Sequence, residues 1–306
     1  MIEAKNLTRR YGDFTAVRDV SFSIKSKSGI TALLGPNGAG KTTTLRILTG
    51  YLKPTSGEIS INGMSPADEA ELVEMKKQMG YLAETTPLYP EMLVSEYLEF
   101  IGKVRGLDGE RLEKSAVEMI DKLELGSHFY TPIGLLSKGF RQRVGLAGAL
   151  IHKPEIIILD EPTSGLDPNQ ISQIRALIQE LGKDSTLILS THILQEVEDI
   201  CERVIIINRG SIVADQPMSE LRDSHSCVLA ARGDGIETKL NALDLVKNCR
   251  REPAPGHPDG YGLYICELNE NAPEKLFARI ADAGWEVREF APLSRSLEDI
   301  FRELTA

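Results

Sequence analysis

Two stretches of this sequence carry residue types at spacings that suit chemistry on a polyphosphate. Gly35, Pro36, Asn37, Gly38, Ala39, Gly40, Lys41 and Thr42 fit the pattern G-x-x-x-x-G-K-[ST], with Thr43 next in line. The glycines allow backbone N–H groups to curl around phosphate oxygens at a helix N-terminus, where the helix dipole already favours anions. Lys41 adds a point charge at the β- and γ-phosphates, and the Thr42 hydroxyl can ligate Mg²⁺. The second stretch is the apolar run Ile156 to Leu159, closed by Asp160 and Glu161. A carboxylate at the C-terminal end of a buried strand sits where open parallel sheets bind ligands, so Asp160 is expected to hold Mg²⁺ through water. Glu161 follows at once and is expected to point away from Asp160, toward the γ-phosphate, as general base for an attacking water. Two adjacent acids are in most sequences just a solvated pair. A strand before them and the glycine-rich loop upstream are what give this pair its chemical reading.

The elements that must position these groups are legible. ITALL precedes the glycine-rich loop and TTTLRILTG follows it, which is the strand, loop, helix context the motif requires. IIIL and TLILS, at Thr186 to Ser190, are short, branched and apolar on both faces, as buried parallel strands are. Helical spacing from Asn169 to Leu181 completes a strand, helix, strand unit. The first 30 or so residues alternate with period two in IEAKNLTRRY and AVRDVSFSI, predicting an antiparallel subdomain, and Ala67 to Arg143 is mainly helical. Around Asp215 to Ser226 the texture changes, and the boundary is placed so that residues 1–218 and 219–306 are separate domains. The second reads as strand (Cys227 to Ala231), helix (Ile236 to Leu243), hairpin strands flanking PAPGHPDG, helix (Pro273 to Ala283), strand (Trp285 to Phe290) and final helix (Leu297 to Leu304). That is βαββαβ plus one helix, the ferredoxin-like plan.

Composition narrows the function classes. A chain of 306 residues suits a large core plus an accessory domain. No segment approaches the roughly 18 uninterrupted apolar residues of a membrane span. MIEAKNLTRRYG lacks the apolar region of a secretory signal, so a cytoplasmic location is expected. A formal net charge of −10 opposes the broad basic surface that nucleic-acid binding uses. Cys201, Cys227, Cys249 and Cys266 are irregularly spaced without a C-x-x-C pair, which favours free buried thiols.

Further stretches bring a family into view. Leu136-Ser137-Lys138-Gly139-Phe140-Arg141-Gln142-Arg143, just before the acidic strand, resembles the signature of the ABC ATPases; Lys138 stands where glycine is common and Phe140 where glutamine is common. Ser164-Gly165-Leu166-Asp167 resembles the family's D-loop, and His192 after Ser190-Thr191 its switch histidine at the γ-phosphate. Tyr11 in RRYGDFTAV resembles the aromatic that stacks on adenine, with a strand-end core aromatic as the alternative. The resemblance covers residues 1 to about 215. It implies an α/β P-loop ABC ATPase domain with an antiparallel β subdomain and a helical subdomain, followed here by the smaller α+β domain. It also implies ATP and Mg²⁺ as ligands, and a homodimer in the ATP-bound state in which Ser137 and Gly139 face the partner's P-loop. Integral membrane permease subunits on separate chains are implied too, placing the protein on the inner face of the cell membrane.

LSKGFRQRVGLAGALIHKPEIIILDEPTSGLDPNQ and SLEDIFRELT resemble the ABC-2 export type, and in particular the ATPase subunit associated with gliding motility in some bacteria; a gliding role does not follow from that likeness. One departure is Glu84 in MGYLAETTPLYPEM, where the family usually carries a glutamine that touches Mg²⁺; an alignment one residue away is the alternative. Leu88, Tyr89, Met92 and Leu93 lie in the segment where the family docks its membrane partner, or else are ordinary core. Two other functions are weighed. A soluble ABC ATPase acting on ribosomes or DNA usually has paired nucleotide domains or a coiled-coil insertion, for which the interval from Lys41 to Ser137 is too short. A nucleotide switch without turnover is disfavoured by intact Lys41, Asp160, Glu161 and His192. The role of the C-terminal domain stays open between regulation, dimerisation and docking.

Overall fold

The computed structural model describes residues 1–222, 225–253, 258, 260–270, 272–293 and 296–305. The chain divides into two compact units, Met1–Pro217 with Leu304–Ala306, and Met218–Glu303.

The first unit opens with β1 (Ile2–Tyr11) and β2 (Phe14–Ile24), followed by β3 (Ile30–Leu34), α1 (Lys41–Leu48), β4 (Ser56–Ile61), α2 (Glu69–Lys77) and β5 (Met79–Leu82). Next come α3 (Val94–Val104), α4 (Gly109–Lys122), α5 (Lys138–Leu150), β6 (Ile156–Asp160), α6 (Pro168–Gly182), β7 (Thr186–Thr191), α7 (Leu194–Ile200), β8 (Arg203–Asn208) and β9 (Ser211–Pro217). Strands β1, β2 and β4 form an antiparallel sheet ordered β2-β1-β4. A six-stranded sheet is ordered β5-β6-β7-β3-β8-β9, parallel except for β9. All residues of β3, β6 and β7 are buried, as the unbroken apolar runs predict for strands covered on both faces. One core joins both sheets: Ile2, Val20 and Ile59 from the antiparallel sheet pack with Leu33, Ile158 and Ile205 from the parallel one and with Leu45 and Leu48 of α1.

This packing fixes where the chemistry can sit. Strands β3, β6 and β7 are neighbours and parallel, so the loops after their C-terminal ends, carrying Gly35–Thr42, Glu161 and His192, are brought to one edge of the sheet. Asp167 caps α6, its carboxylate accepting the N–H groups of Asn169 and Gln170, each at 3.0 Å, with Pro168 in the first turn.

The second unit begins with α8 (Met218–Arg222) and continues β10 (Ser226–Arg232), α9 (Ile236–Asn241), β11 (Val246–Glu252), β12 (Gly262–Leu268), α10 (Pro273–Asp282), β13 (Glu286–Leu293) and α11 (Leu297–Thr305) up to Glu303. The antiparallel sheet is ordered β11-β12-β10-β13, so the two outer strands flank the first and third, as in the ferredoxin-like plan. Residues 254–257 and 259 of PAPGHPDG lie outside the described residues. All four cysteines are free and buried. Cys227, Cys266 and Cys249 are direct cross-strand neighbours, with the Cys266 and Cys249 sulfurs 3.3 Å apart. Among the described residues no helix is long and apolar enough to cross a membrane.

Candidate functional site

The loop after β3 turns into α1 through Gly40, whose φ of 107° is open to glycine but not to L side chains, and whose missing Cβ would stand 2.5 Å from the Ala16 carbonyl oxygen. Helix α1 therefore starts at Lys41, and the N–H groups of its first turn, at Lys41, Thr42 and Thr43, have no partner within the helix. The Lys41 side chain is buried and folds back along the loop, donating to the carbonyl oxygens of Gly35 (2.8 Å) and Pro36 (3.3 Å). Its Nζ also stands 3.5 Å from Glu161 Oε1.

The two acids after β6 take opposite directions. Asp160 is fully buried, its Oδ1 accepting from the hydroxyls of Ser190 (2.5 Å) and Thr42 (3.3 Å). Its Oδ2 is buried with no protein partner. A buried carboxylate oxygen without a donor, beside a threonine hydroxyl at the phosphate loop, is a fitting donor set for a hard divalent cation. Glu161 adopts a left-handed backbone (φ 51°), a conformation costing an L residue roughly 1–2 kcal/mol. Its N–H holds that turn by donating to the Ser190 hydroxyl at 3.1 Å and carbonyl at 3.2 Å. The turn aims the Glu161 carboxylate at Lys41 and at His192, whose Nδ1 lies 2.8 Å from Oε2. Burial pushes the Glu161 carboxyl above the usual carboxylate range, while His192 and Lys41 pull it down.

These groups border a cavity of about 520 Å³ whose walls include Asn37, Gly38, Ala39, Gly40, Lys41, Thr42 and Thr43, together with Glu84, Glu161 and His192. Tyr11 also lines it, half exposed and with the Arg9 guanidinium 4.7 Å from its ring centroid, so it is a surface aromatic and not the core residue offered as its alternative. Glu84, exposed on the loop after β5, borders the same cavity. Gly35, Pro36 and Asp160 lie behind the lining. Ser137 and Gly139 are not part of it. The Ser137 hydroxyl accepts the Phe140 N–H at 3.3 Å and so caps α5, and a Cβ on Gly139 would meet the Gln170 side chain at 2.5 Å.

Sequence reasoning missed Phe14 and Ala16, which line the cavity beside Tyr11. Phe14 is cross-strand partner of Tyr11 over the Gly12-Asp13 turn, a pairing set by the register of β1 against β2. Ser164, singled out only as part of the D-loop, also reaches the lining. Leu88, Met92 and Leu93 are only partly buried and Tyr89 is half exposed, so none of the four belongs to the core.

Comparison with known proteins places the chain in a family. The ABC transporter family model matches residues 17–164. The chain is 36% identical to the bacitracin transport ATP-binding protein BcrA of Bacillus licheniformis over 99% of its own length and 97% of the relative's. The solved dimeric structure of MJ0796, a bacterial ABC transporter cassette, superposes with a TM-score of 0.67 at 29% identity, covering 71% of this chain and 99% of that one. The same cassette in a post-hydrolysis state bound to ADP and Pi gives a TM-score of 0.66 at 28% identity, again over 71% and 99%. With its nucleotide loop, acidic strand end and cassette fold, the chain belongs to the ABC transporter ATP-binding proteins and is an ATPase of that family.

Proposed function

We propose that this chain hydrolyses Mg²⁺-ATP with Glu161 as general base, and that closure of its ATP-bound homodimer drives export through separate integral membrane subunits on the cytoplasmic face of the membrane. The observation that carries the reading is the meeting of Lys41, Glu161 and His192 within 2.8 to 3.5 Å at the mouth of the phosphate loop. Thr42, Asp160 and Glu84 would hold Mg²⁺, which supplies charge neutralisation on the phosphate oxygens. Lys41 and the first-turn N–H groups of α1 bind and orient the phosphates. Glu161, fixed by its hydrogen bond to His192, takes a proton from the attacking water, and its raised proton affinity makes it a stronger base than an exposed glutamate. Tyr11 and Phe14, which line the cavity, would stack on the base. Ser137 is exposed at the start of α5 and outside its own chain's cavity, which suits contact with nucleotide bound on a second subunit. The residues 219–306 form an accessory domain in this reading.

Export rests on the resemblance in the signature and C-terminal stretches and on the full-length likeness to a bacitracin transport ATP-binding protein. A membrane subunit would dock at Tyr89, which packs edge-on against Phe100 with centroids 5.7 Å apart, and at exposed Val104. The test is Glu161→Gln. ATP binding should persist while hydrolysis slows at least ~10²-fold, the lower end of a general-base contribution. Turnover at the parental rate would remove Glu161 from the role of base.

A further inference from the structure

We infer that Glu196 is a positioning residue that sets the Glu161–His192 geometry by tying together the two loops that carry them, an inference that rests on the reading of Glu161 as base. Glu196 lies in the first turn of α7 and is 1% exposed, yet its carboxylate touches neither the cavity nor the phosphate loop. Its two oxygens are divided between two segments. Oε1 accepts the hydroxyl of Thr163, two residues after Glu161, and Oε2 accepts the hydroxyl of Thr191, one residue before His192, at 2.7 Å. Both threonines are buried, and the Thr191 oxygen also accepts the Ile193 N–H at 3.0 Å. The guanidinium of Arg175 stands 4.0 Å from Oε1 and is itself held by Asp199 at 2.8 Å.

One carboxylate thus bridges the loop after β6 and the last residue of β7, next to His192. Two hydroxyls compete for no other acceptor there, so the arrangement is a clamp with both arms satisfied. Other ties between the same two segments are the Glu161 N–H to Ser190, the Ser190 hydroxyl to Asp160 Oδ1 at 2.5 Å, and the 2.8 Å contact of Glu161 with His192 itself. The two Ser190 bonds fix the strand end and the backbone of Glu161; the contact with His192 is the catalytic one. What fixes the separation of the two loops beyond those points is Glu196. Misplacing a reacting group by about 1 Å can cost about 10²-fold in rate, so loosening this clamp should act on turnover more than on nucleotide binding, which the phosphate loop supplies.

The test compares Glu196→Ala, Glu196→Gln, Thr163→Val and Thr191→Val in the full chain, reading kcat, ATP affinity and thermal stability. A glutamine of the same shape can accept from one threonine and donate to the other, so Glu196→Gln should stay near the parental kcat. Glu196→Ala should lower kcat by about tenfold to a hundredfold with ATP affinity within about threefold. The two valine variants, which keep side-chain volume, should lower kcat in the same direction. In a Glu161→Gln background, Glu196→Ala should have no further effect, because the group it positions is gone. Parental kcat in Glu196→Ala overturns the inference. So does a parallel fall of kcat and ATP affinity that Glu196→Gln does not rescue, or an undiminished effect in the Glu161→Gln background. Failure of the base reading is seen separately, as parental turnover in Glu161→Gln alone.

Discussion

His152, in the loop between α5 and β6, should make the nucleotide-binding unit lose stability in mild acid. A carbonyl oxygen only accepts, so the 3.2 Å contact of His152 Nε2 with Met79 O requires the proton on Nε2. Nδ1 is buried with no partner, and burial, aided by the Arg105 guanidinium, pushes the imidazole down to about 4 from 6.5. The sign follows from where protons bind. Between pH 6.5 and about 4 the unfolded chain takes up a proton that the folded one refuses, so folding weakens as pH falls through this window. The full effect is on the order of 3 kcal/mol, and about 2 kcal/mol of it is expressed between pH 7.5 and pH 5. His152→Gln keeps an N–H donor for Met79 and does not titrate. Urea unfolding followed by far-UV circular dichroism should therefore show the parent losing about 2 kcal/mol more than His152→Gln over that pH step, or about one-fifth of a typical domain's stability. Equal losses in the two proteins would refute the argument.

Two further outcomes concern the site. Because burial raises the Glu161 carboxyl, its basic form grows in only above the usual 4.5, so kcat/KM should rise with pH along an acidic limb centred above that value. The limb should vanish in the residual activity of Glu161→Gln. Glu84→Gln should keep ATPase activity within about tenfold, about 1.4 kcal/mol in barrier, while strengthening binding of metal-free ATP, since a carboxylate favours Mg²⁺ and repels bare phosphate. Titrating ATP binding against Mg²⁺ checks it; unchanged or weaker metal-free binding means Glu84 does not face the metal.

The parts of the site that were legible in the sequence are those whose chemistry is written in contiguous residues. The phosphate loop needs neighbouring N–H groups, and Asp160 and Glu161 need only a strand end, so local spacing suffices. His192 was legible through its resemblance and its place after a buried strand. Phe14 was overlooked because its nearness to Tyr11 depends on how the β1–β2 turn registers, which alternation alone leaves undetermined. Glu196 was hidden for a stronger reason. It is an acid in a helical stretch, and only the parallel pairing of β6 with β7 places it between Thr163 and Thr191. Ser137 and Gly139 show the converse, being legible as motif residues yet absent from their own chain's cavity. In the second unit the βαββαβ order followed from periodicity, whereas the sheet order depends on strand pairings that no local pattern encodes.

The most direct test of the account mixes two chains that should each be inactive alone, one carrying Ser137→Arg and the other Lys41→Ala. In a mixed dimer the phosphate loop of the first and the Ser137 of the second are both intact and would face one another across the interface. ATP turnover should therefore return on mixing, whereas a dimer that pairs the parent with a chain carrying both substitutions has no intact site and should be inactive once separated from parental homodimers. A mixture as inactive as its components, or a Ser137→Arg chain that hydrolyses ATP at the parental rate by itself, would contradict a catalytic site shared between two subunits.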